Sequence, residues 1–114
     1  MPILNNQSCE ACDLNASRVS DEELQILLAE IPGWHIESVD NIMHLERAYT
    51  FDNFILAMDF ANKVTNIAEA EAHHPSILVE WGNVKINWWT HKIKGLHKND
   101  FIMAAKTEVL YESD

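Results

Sequence analysis

Two histidines, His73 and His74, stand side by side immediately before Pro75, and a carboxylate, Glu69, lies one helical turn upstream. Imidazoles with ordinary pKa values of about 6.5 exchange protons in either direction near neutral pH, so such a pair suits general acid–base catalysis. Zinc binding is the competing use. It commonly draws two histidines three to five residues apart, so that both rings face one ion. Adjacent histidines, the second held extended by the following proline, point apart. The spacing favours proton transfer over metal ligation.

A third histidine joins them through a strand. The run "VKINWWTH" alternates, with Val84, Ile86, Trp88 and Thr90 on one face and Lys85, Asn87, Trp89 and His91 on the other. His91 therefore belongs to a partly polar face, and the helix-to-strand break at His73 and His74 makes a natural rim for the same concavity. Glu69 is placed to reach the His73 ring. Simpler roles exist for each residue. Histidines at a helix end favour the dipole, His91 suits an exposed strand position, and Asp100 suits the third position of the last helix. His35, His44 and His97 have no supporting neighbours and are read as ordinary residues. Cys9 and Cys12, in "CEAC", supply half a structural zinc site with no second pair to complete it. They read as reduced thiols, with zinc shared between two chains as the alternative.

The elements that must position these groups follow from pattern. Residues 1–19 are polar and aperiodic, a loose lead-in to a domain over 20–114. Ser20 and Glu23 fit a capping box, Leu24, Leu27, Leu28 and Ile31 form one face, and Pro32-Gly33 ends the helix. "WHIES" and "MHLERAYT" flank a turn at "VDN". Asp52 is a plausible cap for a long helix over 53–72, with Phe54, Ala57, Met58, Ala61, Val64, Thr65 and Ala68 on its inner face. "ILVEW" and "VKINWWTH" flank a hairpin turn at Gly82-Asn83. A last helix over 98–111 packs through Phe101, Ile102, Ala105 and Val109. The order α-β-β-α-β-β-α predicts an α+β fold, a four-stranded antiparallel sheet with helices packed on one face.

Composition narrows the function classes. With 18 acidic and 8 basic residues the net charge is −10, and Lys92, Lys94 and Lys98 form the only basic cluster. That balance argues against direct nucleic-acid binding and against an anionic membrane surface. No apolar run approaches the ~20 residues of a membrane span, and the N-terminus has no secretory pattern. The expected location is the cytoplasm.

From position 69 onward the spacing is more specific than any of its parts. Glu69, three residues, His73-His74-Pro75, five residues, Trp81, nine residues, His91, eight residues and Asp100 together resemble the signature of the pterin-4a-carbinolamine dehydratases. The words "HHPSILVEWGNVKINWWTHKIKGLHKNDFIMAAK" resemble the bacterial branch, and the likeness covers about residues 20–110. The resemblance implies a dehydratase acting on 4a-hydroxytetrahydrobiopterin with no metal or organic cofactor. His73, His74 and His91 would be catalytic, with Glu69, Pro75, Trp81 and Asp100 binding the substrate or orienting the catalytic rings. It also implies homodimers or homotetramers formed through sheet edges and helices, with "ILVEW" and the last helix as candidate contacts. Alternatives are a pterin dehydratase serving molybdopterin metabolism, a non-catalytic interaction or regulatory protein, and a metal protein using His73, His91 and "CEAC". Two positions depart from relatives: Ala72 replaces an acidic or polar residue, and His97 stands where many have a Thr or Ser cap.

Overall fold

The computed structural model describes residues 4–7, 9 and 18–112. Ser20 opens α1 (Asp21–Ala29) with the expected reciprocal cap. Its hydroxyl accepts the Glu23 N–H, and the Glu23 carboxylate accepts the Ser20 N–H, each at 3.2 Å. Leu24, Leu27 and Ile31 turn inward, and the chain enters β1 (His35–Val39) after Trp34, which is also buried. Asp40 and Asn41, both at positive φ, make the two-residue turn into β2 (Ile42–Thr50). Short polar Asx side chains tolerate that conformation, and its twist matches a hairpin.

The second hairpin joins β3 (Ser76–Glu80) to β4 (Asn83–Trp88). Its turn is Trp81-Gly82, one residue earlier than expected, because Glu80 pairs with Asn83. Contact with the end of β2 fixes this register. The Gly82 carbonyl accepts the Phe51 N–H at 2.9 Å, and a Cβ on Gly82 would stand 2.8 Å from the Phe51 oxygen. The sheet is antiparallel throughout, in the order β1-β2-β4-β3.

The expected α+β architecture is what the chain adopts. One sheet face carries Leu45, Tyr49, Val84, Ile86 and Trp88 into a core shared with α2 (Phe54–Glu71) and α3 (Lys98–Glu112). The other face carries His44, Glu46, Lys85 and Asn87, and no helix packs there among the described residues. Alternation along each strand thus separates an apolar helix-covered face from a polar open one.

Three local expectations need correction. Asn53, not Asp52, caps α2, its Oδ1 accepting the Leu56 N–H at 2.9 Å. Phe54 and Met58 remain 48% and 37% exposed, while Phe60, absent from the expected inner face, is fully buried. The inward stripe therefore runs through Ala57, Phe60, Ala61, Val64 and Ala68. On α3 Phe101 and Ile102 are buried as expected, but Val109 is exposed and Met103, Ala104 and Thr107 take the inner positions.

The described part of the lead-in is anchored rather than loose. Leu4, in a 3-10 turn over Leu4–Asn6 beside α3, is only 3% exposed and joins the core. The Lys106 ammonium donates to the Asn5 carbonyl, and the Cys9 N–H donates to the Glu71 carboxylate at 2.6 Å. A single docked leucine leaves no periodic signal, which is why pattern did not show it. Cys12 lies outside the described residues, and with it any reading of the two cysteines as a pair. No described helix is long and apolar enough to cross a membrane.

The α2 cap gives a direct test. Asn53→Ala is expected to lower unfolding free energy by about 1 kcal/mol, because the Leu56 N–H loses its acceptor. Asp52→Ala should cost clearly less, and urea melts of the two variants measure the difference.

Candidate active site

The adjacent histidines are separated by one residue's conformation. Ala72 ends α2 in the left-handed region at φ 52 and ψ 39. The His73 N–H returns to the Ala68 carbonyl, and the Ala72 N–H to the Glu69 carbonyl, closing the last turn. A left-handed alanine costs on the order of 1 kcal/mol, and it reverses the chain so sharply that His73 folds inward while His74 faces solvent. Pro75 then carries the chain in extended form toward β3.

His73 is buried and lies parallel to the Trp88 indole, with 5.8 Å between ring centroids. Its Nε2 is 2.6 Å from Oδ1 of Asp100, a carboxylate with 0% exposure. The other Asp100 oxygen accepts the Thr90 hydroxyl at 2.8 Å and the His97 N–H at 2.9 Å. Because Asp100 is an acceptor, His73 carries its proton on Nε2. The expected third-position role of Asp100 in the last helix also holds: the His97 N–H bond is that cap. His97 contributes a second cap, its Nδ1 accepting the Asn99 N–H at 3.0 Å in the place of the Thr or Ser of relatives.

His74 and His91 complete the cleft from the solvent side. His74 Nε2 pairs with Glu69 Oε2 at 2.5 Å, both side chains well exposed. Glu69 therefore orients His74 and not His73, as the turn at Ala72 carries His73 beneath the helix end. His91 opens a 3-10 turn (His91–Ile93) just beyond β4, and its Nε2 donates to the His74 carbonyl at 3.2 Å. Ala72, His73, His74, Thr90, His91 and Lys92 line a concavity of about 170 Å³. Trp81 is not part of it. It sits 69% exposed at the far hairpin turn, five residues along β3 from Ser76, roughly 17 Å at strand rise.

Sequence pattern missed one member of this neighbourhood. His44, on the open face of β2, stacks on Trp89 with centroids 3.9 Å apart and planes within 3°, and Trp89 stacks in turn on His91 at 4.4 Å. Asn87 donates to His44 Nδ1 at 3.3 Å and to Glu46 at 3.0 Å. The only signal for His44 was its alternation with Leu45, and the stacking partner comes from another strand. Burial lowers the His44 pKa below the ordinary 6.5 and His91 adds to the shift, while Glu46, Asp100 and Asp40 oppose it. The stack leads onto a wider, shallow concavity of about 560 Å³ on the open face, lined in part by His44, Glu46, Asn87 and Trp89.

Comparison with known proteins places this geometry in context. A family model described as pterin 4 alpha carbinolamine dehydratase matches residues 17–110. The chain is similar to a transcriptional coactivator/pterin dehydratase from Brucella melitensis in its crystal structure, with a TM-score of 0.75 and 26% identity. That match covers 83% of this chain and 99% of the other. It also shares its fold with a pterin dehydratase-like protein identified as a RuBisCO assembly factor in the alpha-carboxysome. There the TM-score is 0.60 and the identity 17%, over 72% of this chain and 93% of that one.

His44 links this site to stability. A histidine whose folded pKa is depressed adds stability that is complete above its unfolded value and is lost as pH falls through the folded one. Unfolding free energy should therefore drop as pH falls below about 6.5, with His44→Gln flattening part of the slope. NMR titration should place the His44 midpoint below 6.5. A midpoint above it would contradict the burial effect.

Proposed function

The chain belongs to the pterin 4 alpha carbinolamine dehydratase family, and on that premise we propose that it dehydrates a 4a-hydroxytetrahydropterin in the cytoplasm by histidine acid–base catalysis. The reaction breaks the C4a–O bond and the N5–H bond, forms C4a=N5 in quinonoid dihydropterin, and releases water. One acid must protonate the departing hydroxyl and one base must accept the N5 proton. His73, His74 and His91 supply those groups.

The observation that carries this reading is the convergence of the three histidines on one cleft, with His73 held by the buried Asp100 carboxylate. Asp100 fixes the orientation of the His73 ring for proton transfer. Glu69 does the same for His74 at the solvent edge. The small cleft shares His91 with the His44–Trp89–His91 stack, whose ring edges and outer imidazole faces suit a planar polar heterocycle. Pro75 keeps the backbone after His74 extended and so preserves the divergence of the two rings.

A second reading, as an interaction protein, is favoured by one feature. Phe54, Ile55, Leu56 and Met58 expose a patch of large apolar side chains at the start of α2. Such a patch suits assembly with copies of the chain or with another protein. It lies on α2 rather than on the last helix, while Leu78 of "ILVEW" is exposed on edge strand β3. For the chain as a homo-oligomer, light scattering should give a multiple of 13.1 kDa at micromolar concentration. A monomer mass would remove self-assembly as the use of the patch.

The enzymatic reading is tested by stopped-flow dehydration of freshly generated 4a-hydroxytetrahydropterin. His73→Ala, His74→Ala and His91→Ala should each reduce turnover by roughly 10²- to 10⁴-fold, toward the lower end because the substrate also dehydrates unaided. Double variants should lose less than the product of the single losses if the rings act as a unit. His35→Ala should be nearly silent in the same assay. Circular dichroism of each variant separates catalysis from folding. Wild-type protein without dehydration activity would end this reading and leave the interaction role.

A further inference from the structure

On the open face of the sheet, away from the three catalytic histidines, we propose that His35, Glu37 and Glu46 form a binding site for a zinc-class divalent cation. The strands dictate the grouping. His35 and Glu37 are two apart on β1 and so share a face, and the register pairs His35 directly with Glu46 on β2. One nitrogen and two carboxylate oxygens thus converge, all within 4.8 Å of one another.

The two His35 distances match the ligand spacing around such an ion. His35 Nε2 is 3.3 Å from Glu37 Oε1 and 3.4 Å from Glu46 Oε1. A charge-assisted N–H···O bond is shorter, about 2.7–2.9 Å. A tetrahedral cation with bonds of about 2.0–2.2 Å holds two ligand atoms roughly 3.3–3.5 Å apart. The ring nitrogen therefore stands off from two carboxylates by the edge length of a zinc coordination polyhedron.

Support around the ligands points the same way. The second Glu46 oxygen accepts the Asn87 amide at 3.0 Å, which turns Oε1 toward His35. That is the outer-sphere orientation typical of ligating carboxylates. Two carboxylates and a neutral imidazole balance a divalent charge, in a chain whose net charge is −10. A mixed nitrogen and oxygen set suits zinc or cobalt, whereas magnesium and calcium favour oxygen alone. The half-exposed His35 and Glu37 side chains leave the fourth position to solvent. A bound ion would clip the edge strand β1 to β2.

The test is calorimetric titration of chelator-stripped protein with zinc chloride, in a Cys9→Ser, Cys12→Ser background that removes competing thiolates. One equivalent per chain is expected, with His35→Ala and Glu46→Gln each weakening affinity by about 10- to 100-fold or more, and Asn87→Ala by about tenfold. Zinc should also raise the melting temperature of the background protein and not of the His35→Ala, Glu37→Gln, Glu46→Gln triple variant. NMR should show the His35 ring signals shifting at the first equivalent. No binding up to about 100 µM zinc, or one equivalent retained unchanged in the triple variant, would overturn the site. Neither result depends on whether the protein dehydrates a pterin.

Discussion

A single buried carboxylate ties the site to the fold. Asp100 accepts hydrogen bonds from His73 at the exit of α2, from Thr90 just beyond β4, and from the His97 N–H at the start of α3. Three structural elements meet on two oxygen atoms that water does not reach. Each donor would otherwise be desolvated without a partner, at a cost of about 1–3 kcal/mol. The bonds that start the last helix correctly are therefore the ones that hold His73 in place. Positioning the ring needs no separate device.

The second constraint is the turn at Ala72. A helix that ended without it would leave both histidines on the solvent side. The left-handed residue lets the helix close its last carbonyls and sends His73 under the sheet edge, against Trp88. His74 stays outside with Glu69, and the His91 ring reaches over to the His74 carbonyl. The cleft thus has one buried imidazole and two exposed ones. That asymmetry suits the two opposite proton transfers of the proposed reaction, since the environments of the rings differ.

The sheet divides labour between its faces. The helix-covered side holds Leu45, Tyr49, Val84, Ile86 and Trp88 and supplies most of the apolar burial. The open side collects groups capable of chemistry: His44 and Trp89 in the stack, and beside them His35, Glu37 and Glu46, with Glu37 paired to His44 across the strands. Asn87 touches both sets, bonding to His44 and to Glu46 through one amide nitrogen. A polar sheet face without a helix over it remains accessible to ions and flat ligands, which a core face never is.

Local patterns in the chain were enough for the element order, the Ser20–Glu23 cap, the Asp40-Asn41 turn and the α+β layering. Each depends on neighbours within a few residues, where side-chain spacing and backbone preference act directly. The spacing of His73, His74, His91 and Asp100 likewise marked the residues that converge. Their pairings were not legible. Glu69 pairs with His74 rather than with the expected His73, which Asp100 holds instead, because a helix-end reversal at a non-glycine residue leaves no pattern. Trp81 shares the motif but not the cleft, since the length of β3 carries it away. Leu4 and His44 were invisible because what buries them comes from distant strands and helices. Contacts between residues close in sequence are set by short-range geometry, whereas the His73–Asp100 hydrogen bond and the stack on Trp89 exist only after the sheet register and helix packing bring distant segments together.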